Sequence, residues 1–300
     1  MAKSLIAGSL LSRPVRRSQR RKRRAGRALI VVAFTLVSCS TRVSPSATPT
    51  LETRALRLYA TSAALPLLED LTHSYSSLNR DIVFEIESGS YREMLARLVA
   101  GETPYFLSTY LPPDDAQQVP LWAAPVARDG IAAIVHPGNP VTSLTTAQLR
   151  AIYESDIQNW RELGGADMPI TVFTREDGSG TRAEFERLVM GDRPTAPLAR
   201  IAPSSDAMRE SIARDPSAIG YLSTALLDAT VRALAVDGRA PSPATLADDS
   251  YPLRSFLYVI GLREPDGSEP LDLDYRAFVA WVQGPEGQAI AARRYAPLGN

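Results

Sequence analysis

"TREDGSGTRAEFERLV", residues 174–189, sets an arginine, two acids, two glycines, a serine and a threonine directly before an amphipathic helical run. A helix start leaves its first backbone N–H groups without intrahelical partners and carries the positive end of the macrodipole, so an oxyanion is stabilised there. Gly178 and Gly180 permit a tight turn and a close backbone approach. Ser179 and Thr181 add hydroxyl donors, and Arg175 can meet two oxygens of one anion with a charge-assisted fork. Asp177 follows Arg175 by two residues and is placed to hold its guanidinium. The same letters also fit ordinary local structure, since Thr181 and Glu184 have capping-box spacing and glycines commonly precede helices. Taken alone, the stretch leaves both readings open.

Working outward, short apolar runs alternate with helical patterns, which predicts an α/β fold. "PITVFT" reads as the strand that delivers the motif. "TTAQLRAIYES" and "NWRELGG" precede it as a helix and a turn, and "SDAMRESIARDP", "AIGYLS" and "VRALAVDG" come after it as helix, strand, and strand with turn. Nearer the amino end, "ALRLYA" and "DIVFEIES" read as strands around "LPLLEDLTHSYSSL", where Leu65, Leu68, Leu71 and Tyr75 recur at helical spacing. "YREMLARLVAG" is a helix closed by Gly101. "GIAAIVHP" and "YPLRSFLYVI" are further apolar strands, and "DYRAFVAWVQGPEGQAIAARRYAPL" is a helix broken near Pro285.

Charge is distributed unevenly along the 300 residues. Ten of the 33 basic residues and no acid precede residue 28, so the remainder carries 23 arginines against 33 acids, a net charge of −10. An acidic body argues against nucleic acid as a partner. The basic leader, the apolar run "ALIVVAFTLVS" and Cys39, the only cysteine, have the order of an exported leader. Leu36, Val37, Ser38 and Cys39 resemble the bacterial lipobox. That likeness implies a signal peptide over 1–38, lipidation of Cys39, and anchoring to the outer face of the cytoplasmic membrane; an uncleaved anchor or a different start codon is the competing explanation. "STRVSPSATPTLET" is too poor in large apolar residues to build core and reads as a tether, covering 39–52 together with the cysteine. One cysteine and two separated histidines, His73 and His136, offer no metal cluster and no disulfide.

Six segments in order, "APVARDGIAAIVHPGNP", "LTTAQLRAIYESDIQNWRELGG", "PITVFTREDGSGTRAEF", "AIGYLS", "YPLRSFLYVI" and "GPEGQAI" with "YAPL", resemble the phosphate-binding proteins of bacterial ABC importers. The likeness covers about residues 55–298. It implies a type II periplasmic binding protein fold: two α/β lobes, two hinge crossings and a cleft between the lobes. Lobe one would be 53–136 plus 246–300 and lobe two 137–245, with hinge strands near "GIAAIVHP" and "YPLRSFLYVI". Arg175, Ser179, Gly180 and Thr181 match the family's anion-binding run residue by residue.

The same resemblance implies donors from lobe one. Thr61 and Ser62 follow the first strand where the family has small hydroxyl residues, although Ala60 replaces a glycine. Ser90, in "SGSYREM", stands at a second helix start; N-capping competes as the explanation for all three. The family's aspartate after this helix is expected near Pro104, with Ser108, Thr109 and Tyr110 replacing the rest of that run, and Asp114 and Asp115 lie further on. A carboxylate can accept only from an anion that still carries a proton, so its loss bears on phosphate selectivity.

For function, the resemblance implies a monomeric, lipid-anchored receptor that binds an oxyanion, inorganic phosphate first, for an ABC permease, without cofactor or covalent chemistry. Two alternatives stand beside it. One is a sensor or scaffold of the same fold; the other is a hydrolase using Ser179, although "DGSGT" is not a nucleophile elbow and no base is evident. The mature chain lacks the lysine of an NTP-binding loop.

Overall fold

The computed structural model describes residues 53–267 and 272–299, so the expected signal segment, Cys39 and the tether lie outside the described residues. The first half runs β1 (Arg54–Thr61), α1 (Leu65–Leu78), β2 (Ile82–Glu85), β3 (Ser88–Gly89), α2 (Tyr91–Val99), β4 (Tyr105–Ser108) and the long β5 (Leu121–Val135). Next come β6 (Ser143–Leu144), α3 (Thr146–Tyr153), β7 (Thr171–Arg175), α4 (Gly180–Phe185) with a π-helical continuation (Glu186–Met190), β8 (Arg200–Ala202) and α5 (Ser205–Arg214). The chain closes with β9 (Ala218–Ser223), β10 (Arg232–Ala233), β11 (Ala235–Val236), α6 (Pro243–Ala247), β12 (Arg254–Leu262), α7 (Leu273–Gln283) and α8 (Pro285–Ala291).

Eight of these strands lie in the order β2-β1-β4-β12-β5-β9-β7-β8 within one mixed sheet. β1 is parallel to β2 and β4, and β7 is parallel to β8 and β9. Between these parallel blocks run β12 and β5, antiparallel to each other from Arg254 opposite Gly130 to Leu262 opposite Leu121, with a register shift at Leu257/Tyr258.

Successive strand residues point to opposite faces, and each face has its own core. On one side of the β1 end, Leu58, Leu107 and Val259 pack under α1, α7 and α8 with Leu67, Leu68, Leu71 and Phe278. Tyr59, Phe106 and Ile260, one residue out of phase, pack under α2 with Tyr91, Met94 and Leu98. At the β7 end, Ile131, Ala133 and Tyr221 join α3 and the α4 helix, while Ala132, Ile134 and Leu222 join α5. Leu67, Leu68 and Leu71 are fully buried, and each such leucine stabilises by about 1.5–3 kcal/mol.

The core changes between Ala127 and Ile131 on β5, and again between Leu253 and Leu257 at the entry to β12. From Asp129 to Val135 every residue of β5 is buried, so the strand passes from one core to the other without surfacing.

Candidate functional site

β1 ends at Thr61, β7 ends at Arg175, and the two carboxyl ends face a common crevice, the usual ligand position in open α/β sheets. A narrow cavity of about 10 Å³ there is lined by Thr61, Ser62, Gly89 and Ser90 from one core and by Arg175, Glu176, Ser179, Gly180 and Thr181 from the other. All seven residues expected to bind the anion therefore meet at one place. Arg175, Ser179, Thr181 and Thr61 are each at most 4% exposed.

Arg175 is fixed by groups that the sequence reading did not assign. Its Nε and Nη2 donate to the Glu176 carboxylate at 2.8 and 2.9 Å, and its Nη1 donates to Ser205 Oγ at 2.8 Å. Of the five guanidinium N–H donors, two remain for an anion. Asp177 does not hold Arg175; it turns away to an ion pair with Arg92 at 2.9 Å. Gly178 turns the chain with φ +89° and faces Arg92, so the carboxylate before it lies beside Arg92 rather than Arg175. Beneath Arg175, the Tyr221 hydroxyl accepts its backbone N–H at 3.1 Å and pairs with Thr174 Oγ1 at 2.8 Å. Burial pushes the Tyr221 phenol up to about 12. Its ring stacks on Phe185 at 4.1 Å, tying β7, β9 and α4 together.

Capping and anion binding turn out to be compatible. Ser179, not Thr181, is the N-cap of α4, and its Oγ accepts from Arg182 N at 3.3 Å. Glu184 turns to Arg187 and closes no capping box. Ser90 caps α2 by accepting from Glu93 N at 3.2 Å. In both serines the hydroxyl oxygen accepts, which leaves the hydroxyl proton as a donor. Thr61 and Ser62 are not caps: the N-cap of α1 is Ala64, and Ser62 N and Oγ both donate to Gly89 O.

The model of the PBP superfamily domain matches residues 44–286. The phosphate-binding protein PstS of Bacillus subtilis is 31% identical over 227 residues, 74% of each chain. The chain belongs to the PBP superfamily, in the phosphate-binding PstS family. Among solved structures, a Clostridium perfringens protein with bound phosphate superposes with a TM-score of 0.74 at 27% identity, covering 81% of this chain and 98% of the other. An ABC-type phosphate transport receptor from Vibrio cholerae, 24% identical, shares the fold with a TM-score of 0.67 over 81% of this chain and all of its own.

Within this PstS-family protein, the segment where the sequence expects a lobe-one acid spans both ends of β4. Pro104 lies at the amino end of β4 beside Leu98, Gly101 and Thr103, away from the cavity. Because β4 runs parallel to β1, its carboxyl end approaches the crevice: a Cβ on Gly180 would stand 3.4 Å from Tyr110 Cβ and 3.6 Å from Ser108 Oγ. Ser108, Thr109 and Tyr110 thus occupy this edge. Asp114 belongs to a separate groove with Glu184 and Arg187. Glu176, spent on Arg175, is the only carboxylate among the described residues lining the cavity.

Neither histidine reaches Ser179. His73 is exposed on α1, and His136 Nδ1 accepts from Gly138 N at 3.0 Å. Among the described residues no metal-binding group of acidic, histidine or cysteine side chains occurs, and no helix is long and apolar enough to cross a membrane. Ser205, Tyr221 and Glu176 escaped the sequence reading. Only Glu176, adjacent to Arg175, carried a visible signal.

Proposed function

We propose that this protein captures a tetrahedral oxyanion, inorganic phosphate first, and passes it to an ABC permease. The observation that carries the reading is the cavity itself. Two uncommitted N–H donors of Arg175 and the first amides of α4 lie on one side, with Thr61, Ser62 and Ser90 on the other. The Arg175–Glu176 pair is close to neutral, so the anion would be held mainly by hydrogen bonds and local dipoles. Exclusion of water strengthens each of these. The PstS relative supports phosphate as the ligand.

In this reading residues 53–136 with 246–300 and residues 137–245 act as two lobes that close on the anion. The chain works as a monomer, exported and held to the outer face of the cytoplasmic membrane through lipidated Cys39 and the 39–52 tether. No covalent step is involved.

Titration of the protein with phosphate, sulfate and molybdate, followed by calorimetry or tryptophan fluorescence, tests the reading. Saturable phosphate binding that disappears in Arg175→Ala is expected. A preference for sulfate at neutral pH overturns the phosphate assignment, and indifference to all three anions overturns the receptor.

A further inference from the structure

Arg92, in the first turn of α2, makes two contacts with the turn that precedes α4. Its backbone N–H donates to Gly178 O at 3.1 Å, and its Nη1 lies 2.9 Å from Asp177 Oδ2. α2 is packed into the core under β1 and β4, whereas the turn follows β7 of the other core. The two bonds therefore cross the crevice beside the anion cavity. The turn is shaped for this approach, because Gly178 has φ +89° and a Cβ there would stand 2.9 Å from Arg92 Cβ. Residue 92 lies in the first turn, where an amide has no intrahelical acceptor, and Gly178 O supplies one from outside the helix.

We propose that Arg92 and the Asp177–Gly178 turn form a latch over the cavity mouth that sets how long a bound anion stays. The ion pair is directional: Arg182, the other guanidinium near Asp177, is engaged by Glu186 at 2.8 Å. Arg92 holds the Asp177 carboxyl below the usual carboxylate range, so the pair is ionised at neutral pH. Both side chains are largely exposed, which makes the latch weak and quick to open, as a transport receptor needs. It acts on the release rate, whereas Arg175 and the hydroxyls act on recognition. The residence time rests on the anion-binding reading above; the latch itself does not.

Hydrogen exchange at the Arg92 amide of the full-length protein tests the latch directly, with and without inorganic phosphate. Protection of this amide is expected, with faster exchange in Asp177→Asn and in Gly178→Ala while the Ile134 amide in β5 is unchanged. Stopped-flow release of phosphate should be roughly two- to fivefold faster in Arg92→Ala and in Asp177→Asn, with the double variant no faster than either. An Arg92 amide that exchanges at the free-chain rate under both conditions overturns the latch, as does multiplicative acceleration in the double variant. Failure of the wild-type protein to bind phosphate would sink the receptor reading, and the exchange at Arg92 would still decide the latch.

Discussion

Glu176 grips the guanidinium of Arg175 side-on, with both carboxylate oxygens engaged at 2.8 and 2.9 Å. The neighbouring acid thus orients the arginine proposed to bind the anion and balances its charge at the same time. Arg175→Lys keeps the charge but cannot serve Glu176, Ser205 and two anion oxygens together. Calorimetry should show phosphate affinity falling about 100-fold, the loss expected for one or two charge-assisted hydrogen bonds. Retained affinity in this variant would show that charge alone suffices.

Glu176→Gln removes the balancing charge and leaves Arg175 as a net cation. Anion affinity should then decline more steeply with added salt than in the wild type, because an unbalanced charge is screened where a neutral pair is not. Titrations at low and high ionic strength provide the comparison.

Tyr221→Phe keeps the ring stacked on Phe185 but strips the acceptor from the buried Arg175 amide and the partner from Thr174. Leaving that amide unsatisfied should cost about 1–3 kcal/mol of unfolding free energy in a urea titration. Weaker phosphate binding should accompany it, since β7 would no longer hold Arg175 in register.

Gly180 has no positive φ, so its requirement is for space. A Cβ there would stand 3.3 Å from Tyr91 Cβ and 3.4 Å from Tyr110 Cβ. Those atoms are fixed to backbone and yield only if the crevice opens. Gly180→Ala should weaken phosphate binding by about tenfold in calorimetry, in line with the roughly 1–3 kcal/mol that overpacking a closed contact costs.

Asp129 is fully buried on β5, where Ser223 and Thr224 hydroxyls donate to its carboxylate at 2.7 Å each. Burial raises its pKa, and these hydrogen bonds offset part of the rise. A carboxyl with a raised folded-state pKa holds its proton longer in the folded protein than in the unfolded chain. Its contribution to stability is therefore largest below the unfolded value of about 4 and declines as pH rises through the folded value. Unfolding free energies of wild type and Asp129→Asn, compared across acid pH, should show the wild type losing ground as pH increases.

Much of the fold was written in local patterns. "AIGYLS" is β9 residue for residue, "PITVFT" overlaps β7, and Gly101 ends α2 with φ +73°. The anion motif was legible because its residues are contiguous and a turn, a cap and a helix start each leave a local signature. The support around it was not. Ser205 reaches Arg175 from 30 residues away and Tyr221 from 46, and neither distance leaves a trace in spacing. Asp177 reads from sequence as the partner of Arg175, but the turn at Gly178, with φ +89°, sets it beside Arg92 instead. A strand's letters do not say which of its ends lies at the crevice, and Pro104 lies at the amino end of β4, away from the cavity.

The paired crossings β5 and β12 have a mechanical consequence. Two strands hydrogen-bonded along nine register positions bend together like a laminated leaf spring, easily across their length and hardly at all along it. Sliding one past the other would break the whole ladder and turn each side chain to the wrong face. If the two halves close on an anion as proposed, this ladder confines them to nearly one path of approach. In the proposed receptor, closure along that path would bring Thr61, Ser62 and Ser90 to the same place before Arg175 each time, so the stiffness of the spine would make recognition reproducible.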